Sequence, residues 1–364
     1  MAKTKKISKI FLIFFKVTLI TAGLFLLRGG ISKFLPSQVN LENCSEEKRN
    51  IFRECWERNF SLLIEKRGLN ESLKTLDGLN KSNAKVASMC HVLIDYIGTV
   101  GYWEYWKNKF DPDPLMNLCY GGFYHGFMLE FASHEKDASK SKDICLYLEK
   151  SLGKGDDTIY YQCVVGAGVG LTYRYAVDYW GQAKQIFNHA LADCKRIFGE
   201  IAECHLGVFS GMDHLYGGAH GYRLEMDLLH PFAICEGVEG AARATCVERM
   251  IPPLYQLMDE DMGKVARFIM SDIEEVNSGI AMERLAILEV EREYPFLNGF
   301  SSLVEKCKTS GNLRSSCIRG VGIGILGIGE PSVALNNAKN FCNYYALTPN
   351  EKKACLRSVN ELGN

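Results

Sequence analysis

The chain has 364 residues, of which 47% are hydrophobic, and a formal net charge of −1. This hydrophobic content is enough for a packed core and excludes an intrinsically disordered chain. The near-zero charge excludes the basic face with which nucleic-acid-binding proteins neutralise phosphates. The composition therefore predicts a globular protein of one large domain or two ordinary ones, with no nucleic-acid partner.

The chain begins with a basic lead and a long apolar segment. Residues 1–9 carry four lysines, and residues 10–27 ("IFLIFFKVTLITAGLFLL") are apolar except for Lys16 and two threonines. An apolar run of this length matches a membrane-crossing helix, and the preceding lysines favour a cytoplasmic N-terminus. We therefore predict a single-pass membrane protein with a lead at 1–9, an anchor at 10–27, a linker at 28–43 and an exported domain at 44–364. Cleavage of the apolar segment as a signal peptide is the alternative, and it leaves a secreted protein.

All fourteen cysteines lie beyond the anchor, and none belongs to a CxxC motif. Zinc-ribbon and thioredoxin-like sites are therefore not indicated. So many cysteines serve as staples in an oxidising compartment, which agrees with export to the periplasm, the lumen or the cell exterior. The predicted disulfides join consecutive cysteines: Cys44–Cys55, Cys90–Cys119, Cys145–Cys163, Cys194–Cys204, Cys235–Cys246, Cys307–Cys317 and Cys342–Cys355.

The residues around the cysteine pairs predict antiparallel helical hairpins. Residues 179–194 repeat apolar side chains with a helical period and end at Cys194. In residues 348–362, Thr348 and Glu351 form a capping box at the start of a helix. One cysteine of a pair thus falls in the last turn of a helix and the other in the first turns of the next helix, within reach of a disulfide. Each closed loop of about ten residues is expected to stabilise the fold by roughly 3 kcal/mol.

The spacing of the cysteines predicts a repeated architecture. Cys163, Cys204 and Cys246 follow one another at 41 and 42 residues, a period typical of helical arrays. We therefore predict an all-α fold, an array of about eight disulfide-stapled antiparallel helical hairpins forming an α/α solenoid or toroid behind the transmembrane helix. Between Cys246 and Cys317 lie two repeat lengths, and one of the two predicted hairpins there has no cysteine. With its paired cysteines and the "CHLG" of residues 204–207, the chain resembles the cysteine-rich Sel1-like repeat proteins in design, although its period is longer and its loops between cysteines are wider.

Glycines follow four of the cysteines at a fixed spacing, Cys-x-x-Gly-x-x-x-Gly. Positions i, i+3 and i+7 share one face of a helix, and a glycine inside a helix costs up to about 1 kcal/mol relative to alanine. The spacing therefore predicts a close approach, either by a neighbouring helix or by a ligand on an inner surface. The four sets are Cys119, Gly122 and Gly126; Cys163, Gly166 and Gly170; Cys204, Gly207 and Gly211; and Cys317, Gly320 and Gly324.

A second glycine motif, "GIGILG" at residues 322–327, matches the G-x-G-x-x-G dinucleotide fingerprint. That fingerprint requires a preceding strand and a βαβ unit. Here it follows a paired cysteine inside a predicted helix. We therefore predict no nucleotide cofactor.

Residues 204–230 hold four of the eight histidines, together with several carboxylates. Imidazole and carboxylate groups at this density can bind zinc or another transition metal, or act as general acid and base. The candidate metal ligands are His125, Asp213, His214 and His220. The spacing matches no dedicated zinc motif, and histidines that bond to backbone carbonyls at helix junctions are the alternative interpretation.

Aromatic residues cluster around the second cysteine pair. Tyr102, Trp103, Trp106, Phe123 and Tyr124 form a candidate binding surface, with packing between helices as the alternative. Stacked hairpins present extended surfaces to other proteins. We therefore predict a binding or scaffold module for a protein or peptide, and the alternative is a metal-dependent or acid/base enzyme that uses residues 204–230.

Overall fold

The structure of the chain is a computed structural model that describes residues 44, 49–87, 89–105, 111–153, 158–218, 223–293, 300–327, 331–344 and 346–363. All regular secondary structure in these residues is helical, which confirms the all-α prediction. The predicted lead, anchor and linker lie outside the described residues. Within the described residues, no helix combines the length and apolar character that a membrane crossing requires.

The described helices are numbered here in chain order. Short 3₁₀ segments cover Pro114–Asn117, Ala233–Cys235 and Lys308–Leu313, and a π-helical turn covers Glu149–Gly153. The α-helices are α1 (Arg49–Arg67), α2 (Leu69–Ser82), α3 (Ala84–Ala87), α4 (Cys90–Tyr105), α5 (Leu118–His134), α6 (Lys140–Leu148), α7 (Thr158–Asp178), α8 (Ala183–Phe198), α9 (Ala202–Gly217), α10 (Gly240–Leu257), α11 (Met262–Asp272), α12 (Glu275–Glu293), α13 (Ser301–Cys307), α14 (Arg314–Leu326), α15 (Pro331–Cys342) and α16 (Pro349–Leu362).

The chain divides into two compact units, residues 1–62 and residues 63–364. In the first unit, Cys44 is bonded to Cys55 on α1, and the Asn59 amide lies 3.0 Å from the Cys44 sulfur. The Trp56 ring packs between the rings of Phe52 and Phe60, which precede and follow it by one helical turn. The second unit contains the remaining disulfides and the candidate functional residues.

All seven predicted disulfides are present, with Cα–Cα distances of 5.5–5.8 Å, and no described cysteine is free. So many disulfides indicate an oxidising, extracytoplasmic environment.

The predicted helix start at Thr348 is also confirmed. The Thr348 hydroxyl accepts from the Glu351 N–H and the Glu351 carboxylate accepts from the Thr348 N–H, which completes the predicted capping box.

The Cys90–Cys119 disulfide differs from the predicted hairpin closure. Cys90 begins α4 and Cys119 lies at the start of α5, so the bond joins the N-terminal ends of two neighbouring helices. Contacts between α4 and α5 advance in the same direction along both, from the His91 ring on the Cys119 carbonyl to the Trp103 indole on Glu130. The two helices are therefore parallel.

In the second unit, eight of the described helices pack side by side in one series, called here the packed series. Their order is α4, α5, α7, α9, α10, α12, α14 and α16. The glycine sets explain how closely some of these helices approach. A Cβ atom at Gly166 would lie 2.9 Å from the Met128 Cβ, and one at Gly170 would lie 2.6 Å from the Met128 carbonyl oxygen. These separations are too short for real side chains, so only glycine allows α7 to contact the α5 backbone.

The other three glycine sets face the preceding helix of the same series in the same way. Gly122 and Gly126 of α5 face α4, Gly207 and Gly211 of α9 face α7, and Gly320 and Gly324 of α14 face α12. The two glycines of each set, called here a glycine stripe, are therefore covered by a neighbouring helix. The close-packing interpretation is confirmed, and the alternative of a bare inner surface for a ligand is wrong for these eight glycines.

The hairpin α11–α12 contains no cysteine, as predicted, and a buried ionic network lies at the C-terminal end of α12. The Glu289 carboxylate is 1% exposed. It accepts hydrogen bonds from the Tyr255 hydroxyl on α10, from Arg292 on α12 and from Lys306 on α13. Because a buried carboxylate is stable only when it is paired, the network joins three helices at one point.

Candidate functional site

The candidate site is a set of six polar side chains, called here the polar cluster. They lie on five helices of the packed series, and each is partly exposed. The members are His125 on α5, Gln162 on α7, Asp213 and His214 on α9, Arg249 on α10 and Arg284 on α12.

Arg249 occupies a distinctive position in the sequence. It is the third residue after Cys246, where four other cysteine-containing helices have the first glycine of their stripe. A glycine at that position faces the preceding helix at backbone contact. Arg249 instead places a long cationic side chain there, so the close packing that builds the rest of the series cannot be repeated at α10.

His125 is held neutral by its surroundings. Its Nε2 atom lies 2.9 Å from the Gln162 side-chain oxygen, and its ring packs edge-on against His91 with the ring centroids 5.1 Å apart. Burial, with smaller contributions from His91, His214 and Arg249, lowers the pKa of His125 to about 3, although the Gln162 hydrogen bond acts in the opposite direction. The neutral ring donates through Nε2, which leaves Nδ1 as an acceptor.

Asp213 is a carboxyl group that titrates near neutral pH. Burial raises its pKa to about 7, although the positive charges of Arg249 and Arg284 act in the opposite direction. A carboxyl whose pKa lies this close to neutrality can both give and take a proton under physiological conditions. Such groups concentrate at functional sites, although structural networks also contain them.

His125 and Asp213 together indicate a recess. Both side chains keep part of their surface accessible to solvent. Both are also desolvated strongly enough for burial to dominate their pKa values. A group on a convex surface does not combine these two properties. His125 also interacts electrostatically with Arg249, on a helix three places further along the series, so the two residues lie near each other.

The arginines of the polar cluster are only partly paired. The Nε atoms of Arg249 and Arg284 are buried without a hydrogen-bond partner. Arg284 lies 3.7 Å from the Glu291 carboxylate, and nearby Glu283 is engaged by Arg319. Among the described residues, Arg249 makes no ion pair. The recess therefore contains a cation with unused donor groups.

The structure brings three of the four predicted metal ligands to the polar cluster: His125, Asp213 and His214. His220 lies outside the described residues. No group of three or more histidine, cysteine, aspartate or glutamate side chains within the described residues is arranged to hold a metal ion. The zinc site remains a prediction, and the nearby Arg249 and Arg284 side chains place positive charge where a metal cation would bind.

The predicted aromatic surface is mostly core. Tyr102, Phe123 and Tyr124 are at most 4% exposed, because α5 is covered by α4 on one side and α7 on the other. Tyr102 packs against Phe127 and its hydroxyl donates to Glu135. Trp103 is 47% exposed and donates through its indole N–H to Glu130. Trp106 lies outside the described residues, so Trp103 is the described member of the set that a partner can reach.

Two pockets lie elsewhere in the second unit. One has a volume of about 70 Å³ and is lined by residues that include His230, Arg243 and Asp272. It is far smaller than the pockets that enclose small-molecule ligands, which have volumes of roughly 300–1,000 Å³. The other has a volume of about 330 Å³, is open to solvent and is lined by Met258, Lys264, Arg267, Phe268 and Ser271. Neither is lined by a residue of the polar cluster.

Sequence reasoning found the histidines and Asp213 but missed Gln162, Arg249 and Arg284. For Arg249 a signal existed, because "CVERMIPP" interrupts the Cys-x-x-Gly spacing at residues 246–253. Gln162 and Arg284 have no comparable signal. Their roles depend on which helices lie side by side.

No known family model matches this sequence, and no curated protein or solved structure matches it.

Proposed function

We propose that the chain is a membrane-anchored, extracytoplasmic array of about eight helical hairpins, most of them closed by a disulfide, that binds a protein or peptide partner. Seven disulfides between consecutive cysteines and a series of side-by-side helices support the array. A solenoid or toroid of this kind offers a continuous inner surface to a ligand. The basic, apolar N-terminal sequence supports the anchor.

The observation that carries the proposal is the recess at the polar cluster. It combines partly exposed but desolvated side chains, His125 and Asp213, with the unused donors of Arg249. Binding sites typically place a few convergent polar groups inside a mainly apolar wall. Helices α5, α7 and α9, which carry four of the six cluster residues, have almost entirely apolar buried residues.

The test is cross-linking of the full chain in its native membrane, followed by affinity isolation and mass spectrometry. We expect a discrete protein or peptide in stoichiometric amount with the oxidised chain, and its loss after prior reduction with dithiothreitol, because the helices depend on their disulfides. The proposal fails if no protein or peptide is recovered while the purified chain converts a small molecule.

The second candidate is an acid/base enzyme, and the pKa of Asp213 favours it. A carboxyl that titrates near pH 7 beside a neutral histidine is suited to proton transfer. The metal-dependent form of this candidate would use His125, Asp213, His214 and His220. Elemental analysis of the purified full chain tests that form: one equivalent of zinc that His214→Ala removes would support it, and the absence of any metal would exclude it.

A further inference from the structure

We propose that the polar cluster recognises an anionic oxygen group, a carboxylate or a phosphate-like group, through Arg249 and Arg284. This inference rests on the proposed binding function and specifies the chemistry of the ligand. The structural basis is a pair of partly exposed arginine side chains on the neighbouring helices α10 and α12, each with an Nε atom that has no hydrogen-bond partner.

Among the described residues, Arg249 makes no ion pair, and its Nε atom has no hydrogen-bond partner. A buried guanidinium donor left unpaired is costly, since hydrogen bonds to charged groups contribute substantially to stability. The helices that carry a glycine at the equivalent position show that close packing was available there. Arg249 replaces a glycine that would allow this packing, and it forms no ion pair among the described residues. Its side chain is therefore available to bind a ligand.

The charges around the recess favour an anion over a cation. Arg249 interacts electrostatically with both His125 and Asp213, and Arg284 on α12 interacts with Asp213, so the polar cluster holds two permanent positive charges. Asp213 is the acidic group that interacts with both arginines, and it forms no hydrogen bond with either.

The acids on neighbouring helices do not neutralise Arg249. Glu283 bonds to Arg319, and Glu291 lies 3.7 Å from Arg284. Glu248 is adjacent to Arg249 in the chain and interacts with Glu283. Arg249 thus remains available, and the planar fork of a guanidinium matches the geometry of carboxylate and phosphate oxygens.

Calorimetric titration of the full, disulfide-bonded chain at pH 6 tests the inference, in a buffer free of carboxylate and phosphate. One arm uses sodium sulfate, a tetrahedral dianion, and the other uses sodium succinate, so the two arms distinguish a phosphate-like from a carboxylate ligand. We expect saturable binding of at least one probe. Arg249→Gln should weaken that binding about tenfold or more, equivalent to about 1.4 kcal/mol.

Arg357→Gln is the matched control, because the Arg357 side chain is 79% exposed and pairs with the exposed Glu361. We expect this variant to bind the probe as the unmodified chain does. Absence of saturable binding of both anions overturns the inference, as does equal affinity of Arg249→Gln and the unmodified chain. A recovered partner without anion binding would refute only this inference, and anion binding without a partner would refute only the proposed partner class.

A second readout needs no variant and covers the case in which Arg249→Gln fails to fold. Phenylglyoxal modifies guanidinium groups, and mass spectrometry measures its rate at each arginine of the unmodified chain. We expect the anion that binds to slow modification of Arg249 at least fivefold and to leave Arg357 unchanged. Equal rates at Arg249 with and without the anion would contradict the inference.

Discussion

Two parts of the second unit are built on different physical principles. Helices α5, α7 and α9 contact one another through glycine, and a disulfide joins each to the segment before it. In helices α10 and α12 the glycine stripe is interrupted by Arg249, and the hairpin α11–α12 has no disulfide. A buried carboxylate, Glu289, joins α10 and α12 to α13 instead.

The comparison separates scaffold from site. Glycine contacts and disulfides hold helices at fixed separations but provide no chemical groups for a ligand. The charged part, in which α10 keeps a disulfide but lacks the glycine stripe, contributes both arginines of the polar cluster. The glycine-packed part contributes His125, Gln162, Asp213 and His214 from the edges of its helices. The site therefore lies between the part packed through glycine, α5, α7 and α9, and the part joined by charged groups, α10 and α12.

The largest expected effect is the loss of a disulfide in the glycine-packed part. The double variant Cys194→Ala, Cys204→Ala removes a link of sequence separation 10 between α8 and α9. We expect the free energy of unfolding to fall by about 3 kcal/mol, because the unfolded chain regains the entropy of the open loop. Urea unfolding of the full chain measures the change. A loss below about 1 kcal/mol would show that helix packing alone fixes these helices.

The charged part should depend on Glu289 to a similar degree. Glu289→Gln removes the buried negative charge that Lys306 and Arg292 share and leaves them only the more exposed Glu293, and we expect a loss of about 2–3 kcal/mol. Glu305→Gln is the matched control, since the Glu305–Lys308 pair is exposed on both sides and should change stability by less than about 1 kcal/mol. Equal effects of the two variants in urea unfolding would remove the distinction.

Asp213 should make stability depend on pH. Its pKa is raised in the folded chain, so folding favours the protonated form, and stability falls as the pH rises from about 4 to about 7. A pKa raised by about three units represents roughly 4 kcal/mol, and partial exposure of the carboxyl reduces it, so we expect Asp213→Asn to stabilise the chain by about 2 kcal/mol at pH 8 and to have almost no effect at pH 4. Thermal unfolding at the two pH values gives the comparison. If Asp213→Asn changes the stability equally at both pH values, the Asp213 carboxyl is fully exposed to water.

The smallest expected effect tests the glycine contacts. Gly166→Ala places a methyl group against the α5 backbone, and we expect a loss of about 1–2 kcal/mol. Gly78→Ala is the control, because nothing lies within 4 Å of a Cβ at that helical glycine. That variant should be neutral or stabilising by up to about 1 kcal/mol. Chemical unfolding measures both variants. If the two changes have the same sign and size, α5 and α7 are not in backbone contact.

Local sequence signals predicted much of the scaffold. The spacing of the cysteines was sufficient for all seven disulfides, because neighbouring helix ends are always close in space. Thr348 and Glu351 marked a helix start because a capping box depends only on residues three apart. The parallel arrangement of α4 and α5 was not predictable in this way, since a long connection between Cys90 and Cys119 allows either direction.

The site was less predictable, for a physical reason. Phe123 and Tyr124 flank His125, and sequence periodicity does not reveal that α5 is covered on two sides, which buries the aromatic rings and leaves His125 partly open. Arg249 and Gln162 acquire their roles from side chains on other helices. Chain-local patterns therefore predict which helices form and how they are linked, and the convergence of side chains emerges only from their packing.

The central claim is that non-consecutive helices turn His125, His214 and Arg249 toward one recess. Its most direct test replaces His125 with a photo-crosslinking benzophenone amino acid in the full, oxidised chain and maps the products by mass spectrometry. The account predicts cross-links to peptides of α9 or α10 that contain His214 or Arg249, in addition to those of the adjacent α4 and α7. Cross-links confined to α4 and α7 would contradict it.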